Sequence, residues 1–223
     1  MKRPPSPLAA VVFDMDGTLL DTELLYREAM TVVCAEMGVE MNHDLHLSMI
    51  GAPPEIGNHN LLTAFGADFP VRTFRDLVHT RMEATESGGA PLKPGALDLL
   101  TRLRASGVAT GLATSTGRKM ALSKLEKAGL IPLLDTVVAR DDVTHGKPHP
   151  ESYLAAAVGL GVPVAHCVAV EDSYTGVRSA AASGMRTVMV PDLLPATDEM
   201  HGLCAGVVAD LLELRAILRA GAA

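Results

Sequence analysis

Two short apolar runs restrict what this chain can fold into. Leu8-Ala-Ala-Val-Val-Phe13 and Val108-Ala-Thr-Gly-Leu-Ala113 are each continuous, the pattern of a strand buried on both faces of a parallel sheet. Far more chain separates them than one crossover helix requires, and most of it carries helical signals. The sequence predicts helices over Glu23 to Met37, ended by Gly38, a short one from His43 to Ile50, Glu55 to Phe65, ended by Gly66, and Val71 to Thr85. Asp21 and Thr22 are candidate N-caps for the first of these. A block of helices is therefore inserted between the first strand and the second.

After Glu86 comes Ser87-Gly-Gly-Ala-Pro-Leu-Lys-Pro-Gly95, the strongest linker composition in the interior of the chain. One hinge is placed there and the other at Leu19 to Thr22. From Gly95 onward helix and strand alternate: helix 96–105, strand 108–114, helix 119–128, strand 136–139, helix 150–158, strand 167–170, helix 175–182, strand 186–190, a short strand at 207–208, and helix 211–220. Repeated βα units imply a doubly wound parallel sheet covered by helices. The expected organisation is an α/β core from residues 1–20 and 91–223 with an all-helical domain at 21–90. No internal repeat is visible.

Composition excludes several classes of function. The 223 residues suffice for one core domain with a smaller module. A net charge of -7 argues against general attraction to nucleic acid or anionic membranes, and 3% aromatics with no Trp argue against a base-stacking surface. Cys34, Cys167 and Cys204 show neither CxxC nor Cys/His spacing, which fits a reducing compartment. The basic first residues run into prolines, no signal peptide is read, and no segment has the roughly 18 apolar residues of a membrane span. A soluble cytoplasmic protein is expected, a monomer or weak dimer.

In open parallel sheets, ligands bind beyond the carboxyl ends of the strands. Three of those ends carry reactive side chains here: Asp14-Met-Asp-Gly-Thr18 after the first strand, Thr114-Ser-Thr116 after the second, and Glu171-Asp172-Ser173 after the fourth. Lys147 sits in the loop Gly146-Lys-Pro-His-Pro150. Carboxylates converging at one edge repel one another, and a hard cation such as Mg2+ is the usual relief. Asp14, Glu171 and Asp172 would hold the metal, while Lys147 and the Thr114 hydroxyl would clamp a phosphoryl group. Asp14 is then placed to attack phosphorus, and Asp16 to serve as general acid and then base. Gly17 fits the sharp turn between them.

These four motifs, in this order and with a helical insert after the first, resemble those of the haloacid dehalogenase superfamily, and the likeness runs from Leu8 to the last strands. The resemblance implies a HAD-like Rossmannoid core with a C1-type helical cap. It implies that Asp14 is phosphorylated, that Asp16 is the acid/base, and that Thr114, Ser115 and Lys147 bind phosphate. Mg2+ is then held by Asp14, Glu171, Asp172 and the backbone carbonyl of Asp16.

Dehalogenases of the superfamily lack the second Asp, so Asp16 counts against that chemistry. The β-phosphoglucomutase branch has Val after Asp-Gly, a His in the first cap helix and an Arg in the cap loop; Thr18, Tyr26 and Pro54 stand at those places here. Tyr26, Met49-Ile-Gly51, His145-Gly-Lys-Pro148 and Val188-Met-Val-Pro-Asp192 look like a subgroup containing pseudouridine 5'-phosphatase and sugar-phosphate phosphatases. The resemblance thus implies hydrolysis of a small phosphomonoester, a sugar phosphate or nucleoside 5'-monophosphate. A phosphomutase is the alternative, and a non-catalytic phosphometabolite sensor would have lost Asp14 or Asp16.

In the insert, His43, His46 and His59 match no metal spacing and are read as exposed helix residues. Arg72, Arg75 and Arg81 are read as a solvated face. Tyr26 and Asn58 are the candidates for substrate specificity.

Overall fold

Residues 8–50, 54–85 and 89–220 are described in a computed structural model. The proline-rich start, residues 51–53 of the Ile50–Pro54 loop, and residues 86–88 of the interior linker lie outside them.

Six strands, β1 (Ala10–Phe13), β2 (Ala109–Ala113), β3 (Thr136–Val138), β4 (Cys167–Glu171), β5 (Arg186–Met189) and β6 (Gly206–Val207), form one sheet in the order β3-β2-β1-β4-β5-β6. Every pairing is parallel, as the continuous apolar runs predict. Phe13 lies opposite Leu112 on one side and Val170 on the other. That register makes β1, β2 and β4 finish level, so the residues that follow them emerge at one edge. The order reverses beside β1, between its β2 and β4 neighbours, which is where such sheets open a crevice.

Side chains on the sheet are small, and helices approach it closely. Ala10, Val12, Ala113, Val138, Cys167 and Ala169 pack with Tyr153, Ala156 and Ala157 of helix α7 (Glu151–Leu160) and Ala180 of α8 (Tyr174–Ala182). Helix α5 (Ala96–Ala105) packs on β2 and on α10 (Leu211–Ala220), and α6 (Arg118–Lys127) follows β2. A further helix, α9 (Asp198–Leu203), is not predicted from the sequence. It is six residues long, capped by Thr197, and buries only Met200, too little to print an apolar period. Strand β6 starts one residue earlier than predicted, and β1 starts at Ala10 rather than Leu8.

The chain divides into two compact units, one comprising residues up to Asp21 and from Pro91 on, the other Thr22–Ala90. The second unit is helical: α1 (Thr22–Glu36), α2 (His43–Met49), α3 (Pro54–Phe65) and α4 (Val71–Thr85). Met30, Val33, Cys34, Leu61, Phe74, Val78 and Met82 form its own core, joined by Phe65 and Phe69. Three of the four phenylalanines of the chain are thus spent here, with ring centroids 4.7 and 5.7 Å apart. In the first unit the two segments leading to and from this insert run side by side. The Asp21 N–H donates to the Pro91 carbonyl at 2.8 Å, the Lys93 N–H to the Leu19 carbonyl at 2.9 Å, and Leu20 bridges Leu92.

Among the described residues no helix is long and apolar enough to cross a membrane. The three cysteines are free, Cys34 and Cys167 being buried.

Candidate active site

The chain leaves β1 at Asp14, whose N–H still donates to the Val170 carbonyl at 2.9 Å, and turns through Gly17. Gly17 has φ of +83°, and a Cβ there would lie 2.4 Å from Asp172 Oδ2. The residue must be glycine on both counts. Thr18 then donates its hydroxyl to Asp172 Oδ1 at 2.7 Å, tying the first motif to the last.

Lys147 is buried between two carboxylates, donating to Asp14 Oδ1 and to Glu171 Oε1, each at 2.5 Å. Glu171 is fully buried and held from five directions. Besides Lys147 it accepts from the Tyr153 hydroxyl at 2.9 Å, the N–H groups of Asp172 and Ser173 at 3.1 and 3.2 Å, and the Ser173 hydroxyl at 3.1 Å. Its carboxylate lies against Gly176 in the first turn of α8, where a Cβ would come within 1.8 Å of Oε1.

Carboxylate oxygens of Asp14, Glu171 and Asp172 lie within 4.8 Å of one another. The Lys147 ammonium pairs with two of the three, Asp14 and Glu171. Burial, with the charges of Glu171 and Asp16, pushes the Asp14 carboxyl up to about 8 in spite of Lys147. Burial and the neighbouring Glu171 and Asp14 charges likewise hold Asp172 well above the usual carboxylate range. Burial opposes the Lys147 charge, but Asp14 and Glu171 outweigh it and raise its pKa. The cluster is short of positive charge.

The donors fit a divalent cation. Both Glu171 oxygens are committed to hydrogen bonds, whereas Asp14 Oδ2 and Asp172 Oδ2 accept none among the described residues. Two hard oxygens with unspent charge, at the same edge, are what Mg2+ or a similar ion takes.

Asp16 is anchored separately. Its Oδ2 accepts from the Thr116 hydroxyl at 2.6 Å and its Oδ1 from the Lys124 ammonium at 3.1 Å. Thr114 is buried and its Oγ1 accepts from the Thr116 N–H at 3.0 Å, the local turn a Thr-Ser-Thr sequence favours. Ser115 is exposed, and no hydrogen bond of the cluster reaches it. The fold therefore gathers Asp14, Lys147, Glu171 and Asp172 directly, with Thr114 at the end of the adjoining strand and Asp16 on the Thr116–Lys124 pair.

Several supporting residues are missed by sequence reasoning. Tyr153 is a lone aromatic in the alanine-rich α7, and Lys124 is a lysine buried to 9% exposure in α6; each is a mismatch with its surroundings that could have marked it. Nothing in the sequence singles out Gly176.

In the helical unit, the exposure expected of His46 and of Arg75 is overturned. His46 is 2% exposed rather than solvated, because Leu45 and His46 both fall on the inner side of α2, and neither ring nitrogen has a hydrogen-bond partner among the described residues. His43 and His59 are exposed as expected. Arg75 is half-buried and donates to Asn58 Oδ1 at 2.7 Å, and Arg81 pairs with Glu36, while Arg72 is exposed. Burial raises the Tyr26 pKa.

A family model described as haloacid dehalogenase-like hydrolase matches residues 11–190. The chain is 33% identical over 215 residues to a phosphorylated carbohydrates phosphatase of Thermotoga maritima, covering 96% of this chain and 92% of that one. It is 29% identical to hexitol phosphatase B of Escherichia coli, covering 95% and 96%. A crystal structure of a HAD family hydrolase from Deinococcus radiodurans, with bound phosphate and sodium, superposes with a TM-score of 0.83 at 30% identity over 96% of each chain.

Proposed function

Because the chain belongs to the haloacid dehalogenase-like hydrolases and is a phosphoric monoester hydrolase, we propose that it cleaves a small phosphomonoester through a phosphoryl group carried on Asp14. The observation that carries this reading is the buried Lys147 shared by Asp14 and Glu171, next to two aspartate oxygens that accept no hydrogen bond among the described residues. The substrate class is a phosphorylated sugar or a nucleoside 5'-monophosphate. The phosphatases of Thermotoga maritima and Escherichia coli support the sugar phosphate.

One carboxylate oxygen of Asp14 forms the bond to phosphorus as the ester oxygen leaves, and Asp16 gives the departing oxygen its proton. Water then attacks the phosphoryl group, Asp16 takes the proton, and inorganic phosphate departs with Asp14 restored. Lys147 bears on the phosphoryl oxygens and opposes the burial that favours protonated Asp14, and Thr114 and Ser115 offer hydroxyl and backbone donors at the end of β2. Asp14, Asp172, Glu171 and the Asp16 carbonyl would hold Mg2+, which when bound offsets phosphate charge that repels a carboxylate nucleophile. Thr116 and Lys124 fix the Asp16 carboxylate between its two proton transfers. Residues 21–90 act as the cap, and Tyr26 and Asn58 read the substrate.

The test is inorganic phosphate release from a panel of sugar phosphates and nucleoside 5'-monophosphates, with Mg2+ or with EDTA. Metal-dependent release concentrated on one compound is expected. Asp14→Asn should abolish turnover, and Asp16→Asn should slow it by roughly 10²–10⁴-fold. An Asp14→Asn protein that turns over at the wild-type rate would refute the nucleophile.

A further inference from the structure

We propose a second metal site, built from His145, His149 and Glu151 and selective for a borderline transition ion such as Zn2+. It is separate from the carboxylate cluster and does not depend on the phosphatase reading.

His145-Gly-Lys-Pro-His-Pro-Glu151 folds back so that ligand atoms of the two imidazoles and the carboxylate lie within 4.8 Å of one another. His145 Nδ1 is 2.9 Å and His149 Nδ1 3.7 Å from the same oxygen, Glu151 Oε2. The two ring centroids lie 4.6 Å apart with the planes tilted by 39°. Both are exposed, so neither imidazole is spent on packing.

The carboxylate is the fixed member. Glu151 accepts from the Thr144 and His145 N–H groups at 2.8 and 2.9 Å. Those bonds orient it before any ion arrives, and the flanking imidazoles need only small rotations to reach the roughly 2.0–2.2 Å distances of a zinc ligand set. Three protein ligands on an exposed loop leave a fourth position for water.

The chemistry separates the two sites. Two imidazoles and one carboxylate favour Zn2+, Ni2+ or Cu2+ over Mg2+, whereas the all-carboxylate cluster has the opposite preference. The new site also straddles Lys147, whose neighbours two residues before and after it are His145 and His149. An ion there would grip the loop that delivers the lysine to Asp14 and Glu171.

The experiment is calorimetric titration of ZnCl2 into the full chain in excess Mg2+, which saturates the carboxylate cluster. One equivalent of zinc should bind. Losing outer-shell partners alone costs 10–100-fold in metal affinity, so removing two ligands in His145→Ala/His149→Ala should weaken binding by roughly a hundredfold or more. Glu151 is left intact because it also ties the loop. In the wild-type chain, NMR of the imidazole nitrogens should show the His145 and His149 signals moving together as zinc is added. Absence of wild-type binding, undiminished binding by the double variant, or zinc shifts confined to other histidines would each overturn the site.

Discussion

Replacing Gly176 with alanine isolates the support of the buried glutamate. Intrinsic helix propensity favours alanine over glycine by about 1 kcal/mol, so by that measure alone the change in α8 would stabilise the chain. Its surroundings dictate the reverse. The new methyl would stand 1.8, 1.9 and 2.1 Å from Glu171 Oε1, Cδ and Oε2, all far inside contact distance. Glu171 cannot swing aside without leaving Lys147, Tyr153 and the Asp172–Ser173 turn.

Overpacking costs about 1–3 kcal/mol, and each hydrogen bond lost to a buried charge about 1.5–3. A loss of two such bonds with the clash amounts to about 4–9 kcal/mol, a large share of the ~5–15 kcal/mol that stabilises a typical domain. Gly202 supplies the internal control, since it also lies in a helix, α9, and a Cβ there meets nothing within 4 Å. Urea denaturation of both variants, with phosphate release measured alongside, should show Gly176→Ala strongly destabilised and inactive and Gly202→Ala unchanged or slightly stabilised. Equal stability of the two variants, with activity retained in both, would refute the reasoning.

Tyr153→Phe removes only the hydroxyl that Glu171 accepts, and should lower the urea-derived stability by about 1.5–3 kcal/mol while leaving the ring packed; an unchanged midpoint would show that the bond contributes nothing. His46→Leu should raise stability by about 1 kcal/mol, because it withdraws two buried polar atoms that have no partner among the described residues. Burial, Arg27 and His43 lower the His46 pKa, so the unfolded chain takes its proton first; wild-type stability should fall as pH drops through about 6.5, and the variant should lose that part of the slope. With EDTA present, the folded chain keeps a proton on Asp14 that the unfolded chain releases above about pH 4. Metal-free stability should therefore decline from about pH 4 toward about 8, by ~1.4 kcal/mol per unit for one proton, and Mg2+ at pH 8 should restore it; a flat profile with no metal effect would contradict the charge deficit.

Continuous apolar runs, terminating glycines and four short motifs were enough to read the sheet, most helices and the carboxylate edge from the residues. These signals are local, and each element prints its own. The residues that escaped are defined by partners distant in sequence. Gly176 is required by the Glu171 side chain, Lys124 by Asp16, and the Thr18 hydroxyl by Asp172, 154 positions away. His46 escaped for another reason, since a seven-residue helix is too short for its buried side to show in the sequence pattern. The same brevity hid α9.

The seam where Asp21 meets Pro91 and Leu20 bridges Leu92 makes the helical insert a detachable module. To the sheet, everything between those residues is a loop whose ends are already joined. Closing the span Thr22–Ala90 instead of a four-residue turn costs only about 2.5 kcal/mol of chain entropy, because that cost grows with the logarithm of length. Such a junction can accept modules of very different size while the strand that leads into Asp14 and Asp16 keeps its register. On the proposed reading of the insert as a cap, substrate range changes by exchanging what is plugged into the seam, while the carboxylate edge of the sheet is left as it is.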